Sequence, residues 1–391
     1  MPKTFVQPLT PKMPPEADLL FSTARVRMTT EIADRIRAVV RGEVNWIHLV
    51  QLALQHETTA LLYWNLQRIC SDSVPAGILE PLAARYKVQV AEARHRAEEL
   101  VRILGALEDQ GIFALGYKGP ILAQRLYGDL SLREFSKSSD LDIIIHECDL
   151  PKAQAVILDQ GYEKQARSER ELIFREHSGE RFLELHWHFT THLSRVPDDP
   201  KRFLQRFEMV PLAGATVRSL PLEEYFLVLS LHATKHKWRK LKLICDIAEI
   251  LGSRDVDWEY VAREAEDLGL KRILALGVLL AEDPLRVVAP AELTRRLKID
   301  RAARVLAAEC RQELLKEPDD LWRFHADFRF MLKIRERPHD RISMFLWEWL
   351  WPKTMPDEDD RRFARIPQSL WAMYYFVRPV RLAWREITER P

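Results

Sequence analysis

Apolar positions recur at helical steps over residues 17–110, where Ile32, Ile36, Val39 and Val40 share one face and Leu49, Leu52 and Leu54 another. Residues 79–107, rich in Ala, Glu, Arg and Leu, read as one or two long helices. After Gly111 the period changes. Residues 112–115 and the β-branched run 141–145 read as strands, joined through the turn Gly116-Tyr117-Lys118-Gly119-Pro120 and a short helix over 121–127. Pro120 falls at the first helical position, where a missing N–H costs nothing. A helix over 151–160, ended by Gly161, precedes strands over 172–175, 181–189 and 216–220. From Pro221 the helical period returns. Leu231, Trp238, Leu241, Cys245 and Ala248 mark a buried stripe, and helices follow over 262–282, 291–298, 302–316 and 321–334. The pattern predicts an α+β fold, a mixed sheet over 111–220 flanked by helical regions over 17–110 and 221–391, behind a disordered Pro-rich arm over 1–16.

Composition narrows the functional classes. The chain has 391 residues, with 59 Lys and Arg against 58 Asp and Glu, so no global field favours a nucleic-acid backbone. Four scattered cysteines (Cys70, Cys148, Cys245 and Cys310) form no CxxC pair and read as reduced buried thiols. The N-terminal stretch has no apolar signal-peptide core, and the longest apolar run, 273–281, is far short of the ~20 residues of a membrane span. The expectation is a cytoplasmic protein.

Chemistry concentrates in the middle third. Asp140 and Asp142 open the strand 141–145, and alternation puts both carboxylates on one face with Leu141 and Ile143 on the other. Adjacent carboxylates repel, and Mg²⁺ shared with substrate phosphates relieves that repulsion. In the run 182–189, Glu184 shares a face with His186 and His188, whereas Leu185, Trp187 and Phe189 turn to the core. If this strand lies beside the first, three carboxylates converge as two-metal phosphoryl transfer requires. Lys118 and Gly119 precede a helix N-terminus, a plausible phosphate cradle. His232 and His236 stand four apart on one helical face. His236, with Lys235 and Arg239, suits contact with phosphate or base, and Asp246 suits a structural salt bridge.

These residues together resemble the uncharacterised nucleotidyltransferase family, a branch of the DNA polymerase beta-like nucleotidyltransferases. The resemblance is carried by Leu115-Gly116-Tyr117-Lys118-Gly119, Leu126-Tyr127-Gly128, Arg133, Asp140-Leu141-Asp142 and Glu184-Leu185-His186-Trp187. It extends through Leu231-His232, Lys235-His236, Trp238, Leu241 and Asp246, and into the tail at Arg365-Ile366-Pro367, Tyr374-Tyr375, Arg378-Pro379 and Arg381-Leu382. It implies an NTP bound with Mg²⁺, Mn²⁺ being the alternative ion. Asp140, Asp142 and Glu184 would hold the metals, and Glu184 would also activate the acceptor hydroxyl. Lys118, Gly119, Arg133 and His236 would contact the nucleotide. Superfamily members place Gly-Ser before the short helix, whereas Pro120 follows Gly119 here, so Ser138 or Ser139 would have to supply the hydroxyl.

The resulting expectation is metal-dependent transfer of an NMP from an NTP to an acceptor, with release of pyrophosphate. The first alternative is a catalytically inactive module of the same fold that binds or regulates. The second is a hydrolase with a metal on His186, His188, His232 and His236. The acceptor (protein, sugar or other small molecule, or RNA) has no signature, and RNA is disfavoured because basic residues interleave with acids. The aromatic, basic segment 371–385 reads as a terminal helix docked on the body in preference to a peripheral membrane contact.

Overall fold

The computed structural model describes residues 13–135, 141–168, 170–177, 179, 181–189, 204–316 and 328–344, with isolated positions beyond. Asp140, Ser138 and Ser139 lie outside the described residues, as do 1–12 of the arm and much of the C-terminal tail.

Five helices come first: α1 (Pro15–Thr23), α2 (Thr30–Val40), α3 (Trp46–Gln55), α4 (Thr59–Cys70) and α5 (Ala76–Asp109). Thr29 and Asn45 cap α2 and α3 by accepting from the amides of Ile32 and His48. The apolar stripe of α2 is buried at Ile32, Ile36 and Val40. In α3, Leu49 and Leu52 are buried but Leu54 is exposed, because a five-residue step from Leu49 carries it off the buried face. The long run is one 34-residue helix that accommodates Pro81 near its N-terminus.

The sheet follows. Strands β1 (Ala114–Gly116), β2 (Leu141–Ile145), β3 (Tyr162–Arg167), β4 (Glu171–Glu176) and β5 (Phe182–His186) pair in the order β1-β2-β5-β4-β3. Only β2–β5 is parallel. Helix α6 (Pro120–Tyr127) follows β1 and α7 (Leu150–Asp159) follows β2. A separate hairpin joins β6 (Glu208–Leu212) to β7 (Ala215–Ser219). Strands β3 and β6 escape sequence patterning. Along β3 only Tyr162 is buried, and β6 contains Pro211, so neither carries a strong alternating signal.

Helices then resume as α8 (Leu222–Lys235), α9 (Leu241–Leu251), α10 (Trp258–Leu268), α11 (Lys271–Glu282), α12 (Ala291–Leu297), α13 (Arg301–Leu314), α14 (Phe328–Ile334) and α15 (Pro338–Met344). The expected helix over 262–282 is thus two, divided at Gly269, whose φ of 71° gives a left-handed C-cap. The buried stripe is confirmed but spans α8, α9 and the turn between them, where Trp238 is fully buried.

The two faces of the sheet pack differently. Leu141, Ile143, Leu172, Phe174, Leu183 and Leu185 enter one apolar cluster with α5 and α7. Ile144, on the opposite face, joins a larger cluster that includes residues of α1–α4 and α8–α15. The polar residues that alternate with the first set therefore lie between the sheet and the larger helical layer. Among the described residues, no helix is long and apolar enough to cross a membrane.

Candidate active site

Parallel pairing of β2 with β5 sets Asp142 directly opposite Glu184, and Ile144 opposite His186. Antiparallel pairing of β5 with β4 sets Glu171 opposite His186. Three neighbouring strands thus place Asp142, Glu184, His186 and Glu171 on one face. One ligand atom each from Asp142, Glu184 and His186 lies within 4.8 Å of the others, the only such group of three among the described residues.

The negative charge of the cluster is partly offset from within. Lys118 Nζ donates to Asp142 Oδ1 at 2.7 Å. His186 Nε2 lies 3.3 Å from the same oxygen and 3.1 Å from Glu184 Oε2, while its Nδ1 lies 3.4 Å from Glu171 Oε2. Burial opposes a charge on His186, but its hydrogen bonds to Asp142 and Glu184 outweigh it, and the imidazole pKa is raised. Lys118 behaves likewise: burial lowers its pKa, the charges of Asp142 and Glu184 raise it, and the net direction is up. The Tyr117 hydroxyl is pushed far upward by burial and then by the carboxylates Asp142, Glu184 and Glu171. Its ring packs edge-on to His186 and Phe189, with centroids 5.5 and 5.2 Å away.

The turn after β1 aims Lys118. Gly119 takes φ 61° and ψ −132°, a conformation open essentially only to glycine, and becomes the N-cap of α6 with Pro120 at its first position. The Gly119 carbonyl accepts from Ala123, while helix geometry leaves the amides of Ile121 and Leu122 without intrahelical acceptors. Asp142 is 8% exposed, Lys118 15% and Glu184 23%, so the group is mostly covered and Glu184 is the more accessible of the two acids.

Other sequence-derived residues fall elsewhere. Arg133 is buried and donates to both carboxylate oxygens of Asp246, at 2.9 and 2.8 Å, and Tyr127 donates to the same acid at 2.8 Å. Its guanidinium is engaged inside the fold and does not join the Asp142–Glu184 group. His232 and His236, at the end of α8, pack edge-to-face with centroids 4.7 Å apart. Burial, then nearby cations that include Lys118, holds His232 well below its ordinary range and His236 at about 4. The four-histidine metal site is not formed among the described residues: His188 lies beyond the end of β5, and only His186 enters the carboxylate group. Phe189 packs on Tyr117 and the larger helical cluster and does not share the cluster of Leu185 and Trp187, because strand alternation has ended. Glu171 escaped sequence reading, although the alternation Glu171-Leu172-Ile173-Phe174 already turns its side chain to the polar face.

A mixed five-stranded sheet flanked by helices, with paired carboxylates on one face, defines an α+β protein. The chain belongs to the uncharacterised nucleotidyltransferase family, which matches residues 42–286. Two solved structures are similar to it. The antibiotic-resistance factor ANT(2'')-Ia is 13% identical over 56% of this chain and 92% of its own, with a TM-score of 0.28. An antigenic nucleotidyltransferase-like protein from Paracoccidioides brasiliensis is 15% identical over 55% of this chain and 95% of its own, with a TM-score of 0.31. No curated protein matches the chain.

Proposed function

We propose that the protein transfers an NMP from an NTP to an acceptor hydroxyl, releasing pyrophosphate, with a divalent ion at the Asp142–Glu184 pair. The observation that carries this reading is the β2–β5 register, which sets two carboxylates side by side with Lys118 donating to one of them. Two carboxylates and an imidazole within 4.8 Å fit a hard divalent ion, and the imidazole also admits Mn²⁺. Asp140 shares the alternation of Asp142 and would complete the acidic set. The bound ion would supply charge neutralisation at the reacting phosphate.

The chain's own groups divide the remaining work. Lys118 receives a phosphate oxygen. Gly119 lets the backbone approach closely. Glu184, more accessible than Asp142, takes the acceptor proton as the acceptor oxygen bonds to the α-phosphorus and the bond to the pyrophosphate oxygen breaks. His236, beside Lys235, contacts base or phosphate. A protein hydroxyl or a small molecule suits the acceptor role better than RNA, since net charge is only +1.

Thermal stability measured with ATP, GTP, CTP and UTP, each with and without Mg²⁺, tests this reading. One NTP should stabilise the protein in a metal-dependent way, and Asp142→Asn should remove that shift. Transfer of labelled nucleotide should fall at least roughly 100-fold in the same variant. Stabilisation and transfer indifferent to Asp142→Asn would remove this carboxylate from the site. Tight NTP binding without transfer to any acceptor would assign the chain to non-catalytic members of the fold.

A further inference from the structure

Lys118 does more in this geometry than wait for phosphate. Its ammonium sits 2.7 Å from Asp142 Oδ1, the same oxygen that His186 approaches at 3.3 Å. A cation bound by Asp142 and Glu184 would compete with that ammonium for the same carboxylate. We propose that Lys118 is the resident cation of the metal-free site, and that a divalent ion enters effectively only when a triphosphate draws Lys118 away. This proposal rests on the nucleotidyltransferase reading and assigns Lys118 a positioning role in it.

Three observations support the exchange. Among the described residues, Asp142 is one of the more deeply buried acids, and a buried carboxylate without a compensating charge is costly, so the free protein needs a cation there. The amine belongs to a flexible four-carbon side chain, which can leave one acceptor for another without moving the backbone. The amine is also reachable from outside, because the Lys118 side chain keeps 15% of its surface exposed against 8% for Asp142. Phosphate reaching it there would compete with Asp142 for the amine as the metal competes with the amine for Asp142. Each ligand thereby relieves the cost of binding the other, and the linkage is reciprocal.

The consequence is ordered binding. Metal alone binds weakly because it must displace Lys118 into solvent. Metal with triphosphate binds tightly because Lys118 finds a new partner. A device of this kind would keep the carboxylates from retaining a free ion between turnovers.

Mn²⁺ binding followed by paramagnetic resonance of the free ion, without turnover, tests the proposal. Wild type, Lys118→Met, Lys118→Gln and Asp142→Asn are each titrated with Mn²⁺ alone and with Mn²⁺ plus a non-hydrolysable triphosphate, after circular dichroism has confirmed the fold. Wild type should bind Mn²⁺ at least about tenfold more tightly with triphosphate than without. Both Lys118 variants should bind Mn²⁺ alone about tenfold more tightly than wild type and lose most of the triphosphate enhancement. Should Lys118→Met fold poorly without metal, Lys118→Gln retains a hydrogen bond to Asp142 and provides the same comparison. Asp142→Asn should bind little Mn²⁺ under either condition. Lys118 variants that bind Mn²⁺ alone no better than wild type, while Asp142→Asn abolishes binding, would overturn the exchange and leave the nucleotidyltransferase reading standing. Mn²⁺ binding unaffected by Asp142→Asn would instead overturn that reading as well.

Discussion

Single residues set the chemistry of the candidate site, and some were legible from local pattern. Asp142, Glu184 and Lys118 could be read from alternation and from the Lys-Gly-Pro turn because each signal spans only a few residues. Glu171 was not, because its importance comes from lying opposite His186 across β4 and β5, a relation no local stretch contains. Gly119 is the most exacting position. At φ 61° and ψ −132° a side chain is strained, so Gly119→Ala should destabilise the protein by roughly 1–3 kcal/mol. Urea denaturation checks the loss. Weakened NTP binding in the folded variant would accompany it, since the same backbone aims Lys118 and opens α6.

Pairs of elements decide what those residues can reach. The Arg133–Asp246 pair joins the segment after α6 to α9, with both partners buried and Tyr127 closing the network. Arg133→Met alone, or Asp246→Leu alone, should each cost about 3–5 kcal/mol, because each leaves a buried charge without its partner. The double variant should cost clearly less than the sum. A double-mutant cycle by chemical denaturation measures this coupling, and additive losses would exclude it. The sequence offered Arg133 to the nucleotide and Asp246 to a salt bridge. The structure joins the two, over a separation of 113 residues. The starts of α2 and α3 are set locally instead, since Thr29 and Asn45 act through amides three residues away.

Across the whole molecule, His56 ties three parts together. It precedes α4, its Nε2 meets the Leu314 carbonyl at the end of α13 at 2.9 Å, and its Nδ1 accepts from the Leu241 amide at the start of α9 at 3.2 Å. That pattern requires the neutral ring with its proton on Nε2. Burial holds the His56 pKa at about 4, against an ordinary value of 6.5. Between these values the unfolded chain binds more protons than the folded one, so stability rises with pH. The contribution is fully present above pH 6.5 and is lost as pH falls to about 4, on the order of 3 kcal/mol. His232 and His236 act in the same direction, and His186, with its raised pKa, acts in the opposite one. Unfolding free energy measured from pH 7 to pH 4 should therefore fall more steeply in wild type than in His56→Gln. Equal slopes would show that His56 is not the group responsible.

The sequence by itself determined the local rules: helical period in the flanks, two-residue alternation in the strands, a glycine turn before a short helix, and acids on the polar side of that alternation. Each follows from backbone geometry within a few residues. Only the tertiary structure decided that β5 lies between β2 and β4, and that choice brings Glu184 to Asp142 and Glu171 to His186. Strand order and register between segments some forty residues apart are fixed by packing both faces of the sheet at once, the α5–α7 cluster on one side and the larger helical cluster on the other. No local pattern carries that information, because it belongs to how distant apolar surfaces leave water together.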